Sequence, residues 1–222
     1  MSIPNNIKSL YSELPKDVSL VAVSKTKPVS DIEEAYNTGQ RIFGENKIQE
    51  MTDKWEQLPK DIEWHMIGHV QTNKVKYMAP YVSLIHSADR LKLFKEINKQ
   101  AKAAERTIQV LLQVKIAEED SKFGMPPQEA IQVLEENVLT QYTNVEVTGL
   151  MGMASFTDDQ EQVKREFLQL KSIFDRFKDR HNLKTLSMGM SGDYELAIEC
   201  GSNMVRIGSA IFGERDYSNT KS

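Results

Sequence analysis

Two lysines follow the first apolar run of the chain and could supply a nucleophilic amine. The run at 18–23 ends just before Lys25 and Lys27. Because side chains alternate along a strand, Val21, Val23 and Lys25 share one face. If that face lines the inside of a barrel, the Lys25 amine lies above a central cavity, where loss of hydration favours the neutral form that attacks a carbonyl. The alternative is that both lysines lie in a solvated loop.

A glycine- and serine-rich segment near the end of the chain has the composition of an anion site. Segment 187–193 contains Ser191 and Gly192 and precedes a helix predicted for 194–200. The first backbone N–H groups of a helix have no partner within it, and glycine permits an anion to approach them closely. Ser191 could instead serve only as the N-cap of that helix.

A second segment repeats this arrangement further along the chain. Arg206, Gly208 and Ser209 directly follow the apolar pair at 204–205. Barrels often build a phosphate site from the last two loops that follow strands, so two such segments in succession favour phosphate binding. Arg206 could be the cation for the phosphate, or it could contact another part of the ligand.

The four-residue spacing of His65 and His69 is typical of metal ligands on a helix, but the surrounding sequence argues against a metal site. Gly68 interrupts the pattern, and no third ligand is evident. The lone cysteine, Cys200, excludes an intramolecular disulfide and a cluster of cysteine ligands, and it fits a reducing compartment. We therefore predict that the protein binds no metal.

Short apolar runs alternate with longer amphipathic segments along the chain, and these elements must position the residues above. The apolar runs lie at 18–23, 41–43, 62–65, 82–85, 107–114, 145–148, 184–186 and 203–206. Helical patterns lie at 29–38, 88–104, 126–137, 158–179 and 194–200, with a further helix in the first dozen residues. Alternating strands and helices require right-handed crossovers and a parallel sheet.

The number of strand–helix repeats indicates how that sheet closes. Eight repeats within 222 residues predict an α/β fold, a single-domain (β/α)8 barrel of the TIM type over residues 1–222 with an extra N-terminal helix. An open doubly wound sheet is the alternative. In both architectures ligands bind where the strands end, which is where Lys25, Ser191 and Arg206 are found.

The composition limits the classes of function. Hydrophobic residues make up 40% of the chain and charged residues 27%, which is typical of a globular protein. The net charge of −4 argues against nucleic-acid binding. The N-terminus lacks a basic segment followed by an apolar run, and no stretch approaches the roughly 18 apolar residues that a membrane span needs. We therefore expect a cytoplasmic monomer that binds neither nucleic acid nor membrane.

Seven motifs in this order resemble those of the pyridoxal phosphate homeostasis proteins, a family related to the barrel domain of alanine racemase and to the fold-type III pyridoxal enzymes. The motifs lie at 22–28, 43–46, 64–68 with 71–74, 121–124, 149–151, 187–191 and 205–213. Each motif alone is a weak signal, but seven collinear motifs over residues 18–217 are highly specific. The resemblance implies that the cofactor is pyridoxal 5′-phosphate.

The resemblance also implies roles for residues near the ring of that cofactor. It makes Lys25 the residue that forms a Schiff base with the cofactor aldehyde, places Arg206 opposite the pyridine nitrogen and makes Asn46 a wall of the pocket. A guanidinium cannot accept a proton from the ring, so Arg206 would leave the pyridine unprotonated and the ring a weaker electron sink. That environment suits racemisation, or holding the cofactor, better than chemistry that needs a strong electron sink.

The same resemblance makes Ser191, Gly192, Gly208 and Ser209 the phosphate cradle. The family often has threonine at the position of Ser209, and the hydroxyl is retained here. Segment 192–194 departs from the more usual family pattern.

Alanine racemase adds a β-rich second domain that supplies a catalytic tyrosine, and this sequence ends within a few residues of the last barrel motif. Tyr77, Tyr81 and Tyr142 do not match that tyrosine. We therefore expect a binding protein without substantial catalysis that stores, buffers or delivers pyridoxal phosphate, with apo-enzymes as recipients. The alternatives are a small pyridoxal-dependent amino-acid racemase or lyase, and a phosphate-binding barrel without pyridoxal.

Overall fold

The strands of the protein close into a parallel barrel in the order of the chain. A computed structural model describes residues 2–119 and 123–213. The strands are β1 Ser19–Val23, β2 Ile42–Glu45, β3 Glu63–Met66, β4 Leu84–Ala88, β5 Ile108–Gln113, β6 Val145–Met151, β7 Thr185–Met190 and β8 Met204–Ile207. Strand β8 returns to pair with β1, with Leu20 opposite Val205 and Val21 opposite Arg206. The predicted closed barrel is therefore confirmed, and the open sheet is excluded.

Helices follow the strands around the outside of the barrel. They are α1 Ile3–Glu13, α2 Val29–Tyr36, α3 Ile48–Gln57, α4 Val75–Met78, α5 Leu91–Ala103, α6 Pro127–Glu135, α7 Gln160–His181, α8 Tyr194–Glu199 and α9 Ser209–Phe212. The helical patterns of the sequence did not predict α3 and α4. They also placed Ala88 in a helix, whereas Ala88 ends β4 and α5 begins only after Arg90, whose backbone is extended.

The two faces of each strand pack against different surroundings. Val21, Leu84, Leu111, Met151 and Met204 form an apolar cluster inside the barrel. The opposite faces of the strands belong to a larger apolar core that the helices share. Val21 therefore faces the inside of the barrel, which is the condition under which Lys25, on the same face of the chain, lies above a central cavity.

The extra N-terminal helix connects to the last loop of the barrel. In α1, Ile7 and Leu10 are buried. The side-chain amide of Asn6 donates a hydrogen bond of 2.8 Å to the carbonyl of Ile211 in α9. Helix α1 therefore helps to hold the segment that begins with Ser209.

Among the helices of the described residues, none is both long enough and apolar enough to cross a bilayer.

Candidate functional site

A cavity of about 980 Å³ opens at the carboxyl end of the barrel. Cavities of roughly 300–1,000 Å³ are typical of sites for small ligands and cofactors. All the candidate residues of the sequence analysis line this one cavity: Lys25, Asn46, Ser191, Gly192, Arg206, Gly208 and Ser209. The structure thus brings together residues from near both ends of the chain.

The two lysines after β1 have different surroundings. Lys25 is half-buried and lines the cavity together with Val23, as the alternation along the strand predicts. The Nζ of Lys27 instead donates to the carbonyl of Phe212 over 2.8 Å. Lys25 is therefore the lysine whose side chain borders the cavity.

The loops after β7 and β8 lie side by side and bond to each other. The backbone N–H of Gly208 donates to the hydroxyl of Ser191 over 3.3 Å. Asp193 accepts a hydrogen bond of 2.6 Å from the backbone N–H of Met190, so its side chain fixes the turn that carries Ser191. A Cβ at position 192 would meet no atom within 4 Å, which leaves the backbone of Gly192 open to an approaching group.

Glycine is required where the β3 loop passes Asn46, a half-buried residue of the cavity wall. A Cβ at Gly68 would lie 2.3 Å from the carbonyl oxygen of Asn46 and 2.7 Å from its Cα. Such distances cannot be relieved without moving backbone. The glycine of the motif at 64–68 therefore fixes the position of Asn46 by close packing.

Arg206 lies at the floor of the cavity, almost fully buried at 3% exposure. Its guanidinium donates to the hydroxyl of Ser187 over 2.6 Å and to the carbonyl of Gly152 over 3.2 Å. Burial lowers the pKa of Arg206 to about 10, and the nearby Asp193 carboxylate opposes part of that effect. The guanidinium therefore remains charged at neutral pH and can only donate hydrogen bonds.

A column of polar side chains continues from Arg206 into the barrel. The Ser187 hydroxyl lies 3.1 Å from Nδ1 of His86, and Nε2 of His86 lies 3.0 Å from Nδ1 of His65. Burial lowers the pKa of His65 to about 3 and that of His86 well below its ordinary value, so both rings are neutral. Because the Ser187 oxygen accepts from Arg206, its hydroxyl hydrogen donates to Nδ1 of His86. The ring proton of His86 is then on Nε2 and donates to Nδ1 of His65.

Sequence reasoning missed this column. It considered His65 only as a metal ligand and did not consider His86. The described residues contain no group of three or more His, Cys, Asp or Glu side chains arranged to hold a metal ion. The alternation along β3 and β4 could have indicated that both histidines face inward, because His86 lies two residues after the inward-facing Leu84.

Aromatic side chains at the rim of the cavity were also missed. His69 stacks on Phe123 with ring centroids 4.4 Å apart, and its Nδ1 lies 3.5 Å from the Asp89 carboxylate. Phe156, on the loop after β6, is 96% exposed and also lines the cavity. Ser121 and Lys122, from the motif at 121–124, lie outside the described residues.

Comparison with known proteins places this arrangement in a family. Residues 2–216 match the family described as the alanine racemase N-terminal domain. The pyridoxal phosphate homeostasis protein of Pasteurella multocida is 41% identical over 207 residues, which cover 90% of this chain and 88% of that protein. The protein of the same name from Vibrio alginolyticus is 40% identical over 233 aligned residues, covering 98% of this chain and 99% of that protein.

This chain belongs to the pyridoxal phosphate homeostasis protein family.

Solved structures agree with that assignment. PipY of Synechococcus elongatus, described without PLP, superposes with a TM-score of 0.90 at 34% identity, covering 96% of this chain and all of that one. The structure of PipY described with PLP bound gives a TM-score of 0.86 at 33% identity. The predicted membership of the pyridoxal phosphate homeostasis protein family is confirmed.

Proposed function

We propose that this protein binds pyridoxal 5′-phosphate through a Schiff base on Lys25 and takes part in homeostasis of the cofactor by storing, buffering or delivering it. One observation carries the proposal: a lysine, a pair of serine- and glycine-containing loops and a buried arginine all border the same cavity. The family name and the PLP-bound structure of PipY support it. Pyridoxal-dependent apo-enzymes are the proposed recipients.

The residues present fit the phosphate and the aldehyde of the cofactor. Its phosphate needs donors with space above them, which Ser191, Ser209 and the open backbone at Gly192 provide. Its aldehyde needs an amine, and Lys25 is the lysine on the cavity wall. When bound, the cofactor would supply an electrophilic carbonyl conjugated to a pyridine ring.

The covalent step is simple addition and loss of water. The neutral amine of Lys25 would add to the aldehyde carbon, and the carbonyl oxygen would leave as water with the two amine hydrogens, so that a C=N bond replaces the C=O bond without any oxidant or reductant. Lys25 is half-buried and lines the cavity in which the aldehyde would lie.

Arg206 is the donor that we assign to the pyridine nitrogen. The guanidinium is fixed by Ser187 and Gly152, so its orientation does not depend on the ligand. As a charged donor it holds a hydrogen bond to an unprotonated nitrogen and disfavours proton transfer to that atom. The ring then remains a weak electron sink.

The lining of the cavity favours a carrier over a racemase. Racemisation by two bases needs a second proton donor opposite the lysine. Among the described residues that line the cavity, none is a tyrosine. The cavity also opens at the end of the barrel, which leaves a bound cofactor accessible to a recipient.

The decisive experiment is to load the protein with pyridoxal 5′-phosphate, reduce it with borohydride and map the labelled peptide. We expect the pyridoxyl group on Lys25 and loss of the visible absorbance in Lys25→Ala. Lys27→Ala is the matched control, since Lys27 bonds the backbone of Phe212, and it should keep the absorbance. A label found on Lys27 and not on Lys25 would overturn the proposal.

A further inference from the structure

A buried group of charged side chains lies behind the loop that carries Lys25. The ammonium of Lys54, on α3, is 2.7 Å from a carboxylate oxygen of Glu45 and 2.7 Å from one of Glu50. Lys54 is only 6% exposed and Glu45 is fully buried at the end of β2. None of the three is among the residues that line the cavity, so the proposed cofactor site makes no direct use of them.

This cluster of Glu45, Glu50 and Lys54 bonds the backbone on both sides of Lys25. Before it, Lys54 donates to the carbonyl of Ser24 over 2.8 Å, and the Ser24 hydroxyl donates to Glu45 over 2.6 Å. After Lys25, the backbone N–H of Thr26 donates to Glu50 over 2.6 Å. The cluster therefore fixes both peptide groups that determine where the Cα–Cβ bond of Lys25 points.

The loop needs such contacts because Thr26 has a backbone φ of +64°. This left-handed conformation is unfavourable for a β-branched residue, and it persists only where surrounding contacts enforce it. Of the four non-glycine residues with positive φ in the described ranges, Thr26 is the one with a β-branched side chain. The sharp turn at Thr26 separates the directions of Lys25 and Lys27.

Charge burial in the cluster also favours a positioning role. Burial raises the pKa of Glu45, although the ammonium of Lys54 opposes the rise. The second carboxylate oxygen of Glu45 has no hydrogen-bond partner among the described residues. A buried ion pair with an unsatisfied oxygen is a poor source of stability, but its directional bonds hold one geometry.

We infer that Glu50 and Lys54 are positioning residues for Lys25, holding its backbone so that the amine projects into the cavity. The inference rests on the proposed Schiff base at Lys25. It predicts that the cluster matters for the covalent bond and not for binding of the phosphate, because the phosphate cradle belongs to the loops after β7 and β8.

The test compares two ligands on the Glu50→Ala and Lys54→Met variants of the full chain. Pyridoxal 5′-phosphate can bond to Lys25, whereas pyridoxine 5′-phosphate has an alcohol in place of the aldehyde and binds only non-covalently. We expect pyridoxal phosphate affinity to fall about tenfold or more, a loss of about 1.4 kcal/mol, and pyridoxine phosphate affinity to change less than about threefold. Lys178→Met, which removes a lysine from a surface ion pair with Asp175, should change neither.

A rescue experiment separates positioning from general destabilisation. Asparagine tolerates the left-handed conformation better than threonine, so Thr26→Asn should reduce the need for the Glu50 contact. In the Thr26→Asn background we expect Glu50→Ala to lower pyridoxal phosphate affinity by less than about threefold, which is the signature of coupled residues in a double-mutant cycle. Persistence of the full loss in that background would contradict the inference.

The remaining outcomes are also decisive. The positioning role would be overturned if Glu50→Ala lowered the affinity for both ligands equally, or left the affinity for pyridoxal phosphate unchanged. This holds even if borohydride still labels Lys25 in the parent protein. Absence of that label in the parent would instead refute the proposed function. If Lys54→Met does not fold by circular dichroism, Glu50→Ala decides the question, since the Glu50 side chain is 24% exposed.

Discussion

The guanidinium of Arg206 donates to the hydroxyl of Ser187 over 2.6 Å, and this bond joins the cavity floor to the polar interior of the barrel. Ser187 also contacts His86, so one hydroxyl serves both the arginine and the histidine pair. Because each group in the column has a partner, the barrel can bury a charged arginine and two neutral rings among apolar side chains. The orientation of Arg206 is therefore set before any ligand arrives.

Removal of the Ser187 hydroxyl should destabilise the protein and loosen Arg206. Ser187→Ala leaves a buried donor and a buried ring nitrogen without this partner, which costs about 1–3 kcal/mol of the free energy of unfolding. Urea unfolding of the protein without ligand measures that loss. Ser9→Ala, which removes an exposed hydroxyl bonded to Glu13, is the control and should change stability by less than about 0.5 kcal/mol. Equal stability of parent and Ser187→Ala would show that the column contributes nothing.

Stability should depend on pH because of the histidine pair. His65 titrates near 6.5 when unfolded and at about 3 when folded, and the folded pKa of His86 is also lowered, so the unfolded chain binds more protons in acid. The free energy of unfolding is then fully retained above about pH 6.5 and falls towards pH 3, by up to about 1.4 kcal/mol per pH unit for each histidine.

Urea unfolding between pH 6.5 and 5 measures this slope before most carboxylates titrate. His86→Gln removes one of the two groups and should lower the slope by about 1.4 kcal/mol per pH unit or less. A parent protein whose stability is flat over this range would contradict the neutral, buried state of His65 and His86.

The barrel could be predicted because its signals are local. Each strand is an apolar run bounded by turns, and the alternation in β1 correctly predicted that Val21 and Lys25 share one face. Helix α3 was missed although Ile48, Met51 and Trp55 recur at a helical spacing, i, i+3 and i+7, and lie in or against the apolar core. The burial of Lys54 on the same helix could not be predicted, because its partners, Glu45 and the Ser24 carbonyl, come from other elements.

The candidate site was predictable to the extent that its residues follow strands. Lys25, Ser191 and Arg206 all lie at or just after strand ends, and the structure places them on one cavity. The histidine column was not predictable in the same way. His65 and His86 meet only because β3 and β4 pair with His65 opposite Leu84, and that register is a property of the closed barrel.

The phosphate cradle should supply affinity independently of the covalent bond. Ser191→Ala with Ser209→Ala removes two hydroxyl donors to a dianion, and at about 1.5–3 kcal/mol for each charge-assisted bond the affinity for pyridoxal 5′-phosphate should fall at least tenfold. Equilibrium absorbance titration measures the effect. Pyridoxal, which lacks the phosphate, should bind the parent and the double variant similarly.

A second variant that tests the cradle is Gly192→Ala. A Cβ at this position meets no atom within 4 Å, so the variant should fold and retain its backbone donor. Its affinity should lie between those of the parent and the double serine variant, because the added methyl group partly covers the open backbone. Native affinity in the double serine variant would place the phosphate elsewhere in the cavity.

The carrier assignment predicts that the loaded protein does not accelerate exchange at the α-carbon of amino acids. Arg206 disfavours protonation of the ring nitrogen, and the described residues that line the cavity include no tyrosine to deliver a proton opposite Lys25. Incorporation of solvent deuterium into L-alanine and L-serine, followed by proton NMR, should proceed within about tenfold of the rate with free pyridoxal phosphate at equal concentration, whereas enzymes typically accelerate reactions by about a millionfold or more. An alanine racemase serves as the positive control. Exchange with inversion at rates approaching those of that enzyme would replace the carrier assignment with a racemase.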